Sequence, residues 1–175
     1  SRGIYAAWGS VDVADVLAGV DYAVKEGIAD PDRLVVGGWS YGGMLTNYVI
    51  ASDTRFKAAA SGASISNVWA GFGTDQYIRD YLSELGAPWD NPAAWKRVSY
   101  PLLAANRIKT PTLFMVGEKD YNVPLLATEQ MYQALQVLRV PTQMVVYPGQ
   151  SHGLAVPSYN ADRWQRYLHW FAAYL

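Results

Sequence analysis

A chain of 175 residues, 51% of them apolar, is long enough to bury a core and to form one compact domain or a large part of one. Its 14 basic and 15 acidic residues are spread along the sequence and leave a formal net charge of -1, which gives no footprint for nucleic acid or an anionic membrane surface. There is no cysteine, so disulfides, thiolate metal ligands and a cysteine nucleophile are excluded.

The sequence opens at Ser1-Arg2-Gly3 rather than at methionine, and is expected to be a segment of a longer polypeptide. It contains no signal peptide and no apolar run long enough to span a bilayer, so the expected compartment is the cytoplasm. In chain order, Val13, Val16, Leu17, Val20 and Val24 recur at helical spacing, and Gly27 stands where that helix would end. Asp30-Pro31-Asp32 makes a turn, and 34–38 then reads as a short, continuously apolar strand of the kind buried on both faces of a parallel sheet. Further strands are expected at 56–60, 111–116 and 142–147, with helices at 42–51, 124–138 and 161–174. In the last helix Trp164, Tyr167, Leu168, Phe171 and Leu175 form one apolar stripe. The stretch at about 64–107 is rich in aromatics, carries no convincing strand and reads as a helical excursion, placed by the rule for α/β sheets over the ligand crevice.

The chemistry begins at Gly38-Trp39-Ser40-Tyr41-Gly42, a G-x-S-x-G sequence between an expected buried strand and an expected helix. A turn that tight leaves the Ser40 hydroxyl exposed at a helix N-terminus, with glycine required two positions to either side and Gly43 adding room. The Tyr41 backbone N–H would then face a developing oxyanion. The competing reading is an ordinary glycine-rich turn with a serine N-cap.

A serine hydroxyl needs a base to accept its proton, and the chain has two histidines. His169 falls opposite the apolar stripe of the last helix and is expected to face solvent. His152 stands in Pro148-Gly149-Gln150-Ser151-His152-Gly153, a loop directly after the strand at 142–147, and is the expected base. An acid must fix its tautomer. Asp120 and Glu118, both in the loop after the strand at 111–116, are the candidates, and position favours Asp120. The resulting order Ser, Asp, His is that of α/β-hydrolases. No metal or cofactor is expected.

Together, Trp39-Ser40-Tyr41-Gly42-Gly43, Gly117-Glu118-Lys119-Asp120-Tyr121-Asn122-Val123-Pro124 and Pro148-Gly149-Gln150-Ser151-His152-Gly153 resemble the catalytic domain of the prolyl oligopeptidase family of serine peptidases. Trp8-Gly9-Ser10-Val11-Asp12-Val13, Asp30-Pro31-Asp32-Arg33, Ser64-Ile65-Ser66-Asn67 and the closing Trp170-Phe171 with Tyr174-Leu175 most resemble its acylaminoacyl-peptidase and dipeptidyl-peptidase branches. The resemblance implies an α/β-hydrolase fold in which residues 1–175 form the C-terminal half, with about four parallel strands, the fifth to the eighth of the full sheet. It assigns Ser40, Asp120 and His152 to the three catalytic roles, with Asp120 rather than Glu118 as the acid. It gives Tyr41 a part in both the oxyanion hole and the P1 pocket, and places Val123, Trp69 and Phe72 on the apolar P1 wall, for which core packing is the alternative. It also implies an upstream β-propeller, the first half of the sheet and a loop supplying the second oxyanion donor, none of them in residues 1–175. The implied activity is hydrolysis of short peptides or N-acylated amino acids through an acyl-enzyme; a carboxylesterase of the same fold and a catalytically silent fragment are the alternatives. The expected partner is a peptide or acylated amino acid, with no nucleic acid or membrane, and homo-oligomerisation is left open.

Overall fold

The computed structural model describes residues 2–175 and contains one sheet of four strands, β1 (Val35–Trp39), β2 (Ala58–Gly62), β3 (Thr112–Gly117) and β4 (Thr142–Tyr147), side by side in that order. All three pairings are parallel, as strand–helix alternation requires, because a parallel neighbour is reached only by a crossover connection. The crossovers are α2 (Tyr41–Ser52), the helical excursion, and α7 (Leu125–Val137), while α1 (Val11–Lys25) precedes the sheet and α8 (Pro157–Tyr174) follows it. The excursion consists of α3 (Val68–Gly71), α4 (Ile78–Leu85), α5 (Pro92–Val98) and α6 (Tyr100–Leu103), with no strand among its described residues, as its composition predicts.

The side-chain alternation of the central strands builds two cores. Ala59 and Phe114 face Ile50 of α2 and Met131 and Leu135 of α7. Ala60, Leu113 and Met115 face the opposite side, where Tyr167 and Phe171 of α8 cover them. Helix α1 lies outside α2, packing Val13 against Tyr48 and Val49. The excursion has its own core around Trp95, which is fully buried with Phe72 and Tyr81 set edge-on to it at ring-centroid distances of 5.4 and 5.5 Å.

Three sequence expectations are corrected here. The strand expected at 56–60 lies two residues later, because Ser61 and Gly62 pair with Phe114 and Met115. Burial on both faces holds for β2 and β3 but not for β1, which among the described residues pairs only with β2 and leaves Gly37 exposed. The apolar stripe of α8 is only partly covered: Tyr167 is buried, whereas Trp164 and Leu168 are 59% and 68% exposed. His169 is exposed, as its helical position predicts. Among the described residues, no helix is long and apolar enough to cross a membrane.

Candidate active site

Ser40 occupies the turn between β1 and α2 with φ +61° and ψ -124°, a conformation that costs an L-residue of order 1–3 kcal/mol and persists only where its surroundings enforce it. The enforcement is visible. The Ser40 N–H donates to the Gly62 carbonyl at 2.9 Å, tying the turn to the end of β2. A Cβ on Gly38 would stand 2.5 Å from the carbonyl carbon and oxygen of Gly42, and one on Gly43 would stand 2.3 Å from the Gly62 oxygen. Gly42 itself departs from the expectation that both flanking glycines are needed for space, since a Cβ there meets nothing within 4 Å. The tight approach is of the Gly38 side toward the Gly42 backbone, and of Gly43 toward β2.

The Ser40 side chain makes no capping hydrogen bond to α2, so the N-cap reading of the motif does not describe it. Its Oγ lies instead 2.7 Å from Nε2 of His152. The other ring nitrogen, Nδ1, is 2.7 Å from Oδ2 of Asp120. Asp120 is buried, and its Oδ1 accepts the backbone N–H groups of Asn122 and Val123, each at 2.9 Å. A carboxylate only accepts, so the tautomer that satisfies both contacts is the one with the proton on Nδ1 facing Asp120 and Nε2 facing the Ser40 hydroxyl. The structure thus brings together Ser40, Asp120 and His152, from the ends of three different strands, in one hydrogen-bonded chain.

Glu118, the other acidic candidate, does a different job. Its exposed side chain accepts the Gly149 N–H at 2.7 Å and so braces the loop that carries His152. Two further clamps were not legible in the sequence. Gly117 lets the acid loop close onto the histidine loop, since a Cβ there would stand 2.5 Å from the Gln150 oxygen and 2.6 Å from that of Ser151. The Lys119 N–H completes this clasp by donating to the Gln150 carbonyl at 2.8 Å. The Trp39 indole N–H donates to the His152 carbonyl at 2.9 Å, fixing the histidine backbone to the strand that carries Ser40. The one available hint was adjacency, because Trp39 and Gly117 each neighbour a candidate residue or its loop.

Behind the turn lies a buried polar network. The Asn47 amide donates to Ser66 Oγ at 2.8 Å and to Ser64 Oγ at 3.2 Å, and the Ser61 hydroxyl bonds the Gly43 carbonyl and Ser64. These contacts join the first turns of α2 to the end of β2, and their burial makes each one costly to break.

A cavity of about 260 Å³ opens beside Ser40, lined by Tyr41, Met44, Ile65 and Val123 together with Trp8, Tyr77 and Tyr81. Tyr41 and Val123 therefore line it. Trp69 and Phe72 are not among its lining residues; Phe72 packs edge-on against Trp95 in the core of the excursion, and Trp69, itself exposed, lies against Trp95 at the margin of that core. The Tyr41 hydroxyl donates to Asp12 Oδ2 at 2.6 Å, and burial together with that carboxylate pushes its phenol well above the usual value. Its backbone N–H belongs to the first turn of α2, where unpaired donors and the helix dipole favour negative charge.

The sequence model of the prolyl oligopeptidase family matches residues 1–175. An uncharacterized peptidase, YuxL, of Bacillus subtilis is 35% identical over 176 residues, covering 96% of this chain and 26% of that protein. An acylamino-acid-releasing enzyme of Arabidopsis thaliana is 33% identical over 175 residues, covering 95% of this chain and 23% of the enzyme. Among solved structures, a Mycobacterium tuberculosis puromycin-hydrolyzing peptidase superposes with a TM-score of 0.90 at 31% identity, covering 97% of this chain and 26% of its own. The chain spans about a quarter of the length of these relatives. It belongs to the prolyl oligopeptidase family, and its sheet and flanking helices are those of the α/β-hydrolase fold.

Proposed function

We propose that this member of the prolyl oligopeptidase family is the catalytic portion of a serine peptidase that cleaves short peptides or N-acylated amino acids through an acyl-enzyme. The observation that carries the reading is the hydrogen-bonded chain from Ser40 Oγ through His152 to Asp120. In the mechanism, His152 Nε2 takes the Ser40 proton as Oγ attacks the scissile carbonyl, and the resulting imidazolium is stabilised by the buried Asp120 carboxylate. The oxyanion develops toward the Tyr41 N–H. His152 then returns the proton to the leaving amine, and a water activated by the same imidazole hydrolyses the Ser40 ester. The P1 side chain enters the cavity bounded by Tyr41 and Val123. The chain spans about a quarter of its relatives' length, and in this reading the remaining part of the sheet, the second oxyanion donor and a β-propeller lie outside residues 1–175.

The test compares matched amide and ester substrates with the same acyl group in the full-length protein and in Ser40→Ala. Loss of roughly 10⁴-fold or more in kcat for the amide on removing Ser40 is the expected result. Negligible amide cleavage beside fast ester cleavage would make the protein an esterase, and unchanged turnover in the variant would reject Ser40 as nucleophile.

A further inference from the structure

The cavity beside Ser40 is not uniformly apolar. Asp75 and Asp80 line it, and among the described residues no lysine, arginine or histidine does. Asp75 is only partly exposed, and among the described residues no cationic side chain lies within ion-pair distance of it. Its Oδ2 accepts the Tyr81 hydroxyl at 2.6 Å and its Oδ1 the Tyr77 N–H at 2.8 Å, which fixes the carboxylate in the wall. Burial pushes its carboxyl up, against the two hydrogen bonds that hold it down. Holding Tyr81 and Tyr77 engages both carboxylate oxygens, but neither contact neutralises the charge. A carboxylate there carries a desolvation cost that a neutral amide would avoid and that an entering cation would offset. The rings of Trp8, Tyr77 and Tyr81 line the same cavity and supply aromatic surface of the kind on which an ammonium group is stabilised.

We infer that Asp75 is a specificity-determining residue that selects substrates with an ammonium group on the residue acylating Ser40. This rests on the proposed serine-peptidase reading, in which the residue acylating Ser40 places its substituents in this cavity. Two sources share the chemistry: a lysine-like side chain, or the free α-amino group of an unblocked N-terminal residue. A neutral acetyl-norleucine substrate presents the same four-carbon side chain as lysine without the terminal ammonium, and carries neither charge.

The experiment measures kcat/KM of the full-length protein and of its Asp75→Asn variant on three anilides: acetyl-norleucine, acetyl-lysine and unblocked norleucine. The readout is the ratio of each cationic substrate to acetyl-norleucine, from which any difference in the folded fraction of the two proteins cancels. The expected result is a ratio above one for acetyl-lysine or for unblocked norleucine in the wild type, falling by roughly ten- to a hundredfold in Asp75→Asn, the range for a hydrogen bond to a charged group. The substrate whose ratio collapses identifies which ammonium source the pocket reads. Cationic substrates no faster than the neutral one, or a ratio unmoved by Asp75→Asn, would overturn the inference. Covalent labelling of Ser40 by a fluorophosphonate in the same wild-type sample separates the two failures: a labelled serine leaves the peptidase reading standing while the specificity claim falls, and an unlabelled serine with no turnover removes both.

Discussion

Replacing Gly117 by alanine tests the claim that the acid and histidine loops are clasped together by close backbone approach. The added Cβ would meet the Gln150 oxygen at 2.5 Å and the Ser151 oxygen at 2.6 Å, both backbone atoms that no side-chain rotation can move. Relieving the first contact to ordinary van der Waals distance, near 3.4 Å, takes a displacement of about 0.9 Å. That movement is forced on the segment directly before His152, against the Lys119–Gln150 and Glu118–Gly149 hydrogen bonds. A shift of about 1 Å in a reacting group costs on the order of 10²-fold, and overpacking a tight site costs about 1–3 kcal/mol of stability. Gly117→Ala in the full-length protein is therefore expected to lose roughly 10²-fold in kcat/KM on an acylated amino-acid anilide, with a lower urea midpoint. The variant separates from a general unfolding effect because the rate per folded molecule falls too. Wild-type kinetics with wild-type stability would refute the reasoning, showing that the two loops are not held as close as described.

Asp120→Asn is expected to cost roughly 10⁴-fold in kcat by disfavouring the required His152 tautomer, whereas Glu118→Gln, which touches only the Gly149 N–H, is expected to cost less than about tenfold; steady-state kinetics showing the reverse ranking would move the acid. Gly38→Ala should destabilise the fold while Gly42→Ala should not, because only the former drives a Cβ into backbone, and equal unfolding midpoints would contradict that asymmetry. Trp95→Ala should remove about 3–5 kcal/mol by hollowing the core of the excursion, and a smaller loss in urea unfolding would mean that this core is not a unit.

The sequence carries the alternation of strands and helices plainly, because apolar runs and helical periodicity are local signals. The strand at 142–147 has the predicted bounds, and the helix of α2 is within a residue of its expected limits at each end. Less legible was β2, where Ser61 and Gly62 have poor strand propensity and are drawn into the ladder by pairing with Phe114 and Met115 at the centre of the sheet. The exposure of β1 was not legible from its own text either, since Val35 and Val36 read alike whether a strand has one neighbour or two. For the site, the three candidate residues were each marked by a loop at a strand's end. The spacing alone left Glu118 as a rival to Asp120, and only the geometry shows Glu118 engaged with Gly149 instead. Trp69 and Phe72 read as pocket wall or as core for a physical reason: aromatic rings within a few residues of each other serve either equally well, and which they serve depends on Trp95, some twenty residues away. Asp75 gave no signal of its own, because a lone carboxylate in a helical stretch reads as a solvated surface charge.

The proposed function requires that Ser40 be a nucleophile activated by His152. The direct measurement is to treat the full-length protein, its Ser40→Ala variant and its His152→Ala variant with a fluorophosphonate and to locate the adduct by mass spectrometry of peptides. The geometry of the Ser40–His152 contact predicts one adduct, on the peptide containing Ser40, absent from Ser40→Ala and formed orders of magnitude more slowly in His152→Ala. An adduct on another residue, or labelling of Ser40 at an undiminished rate without His152, would contradict it.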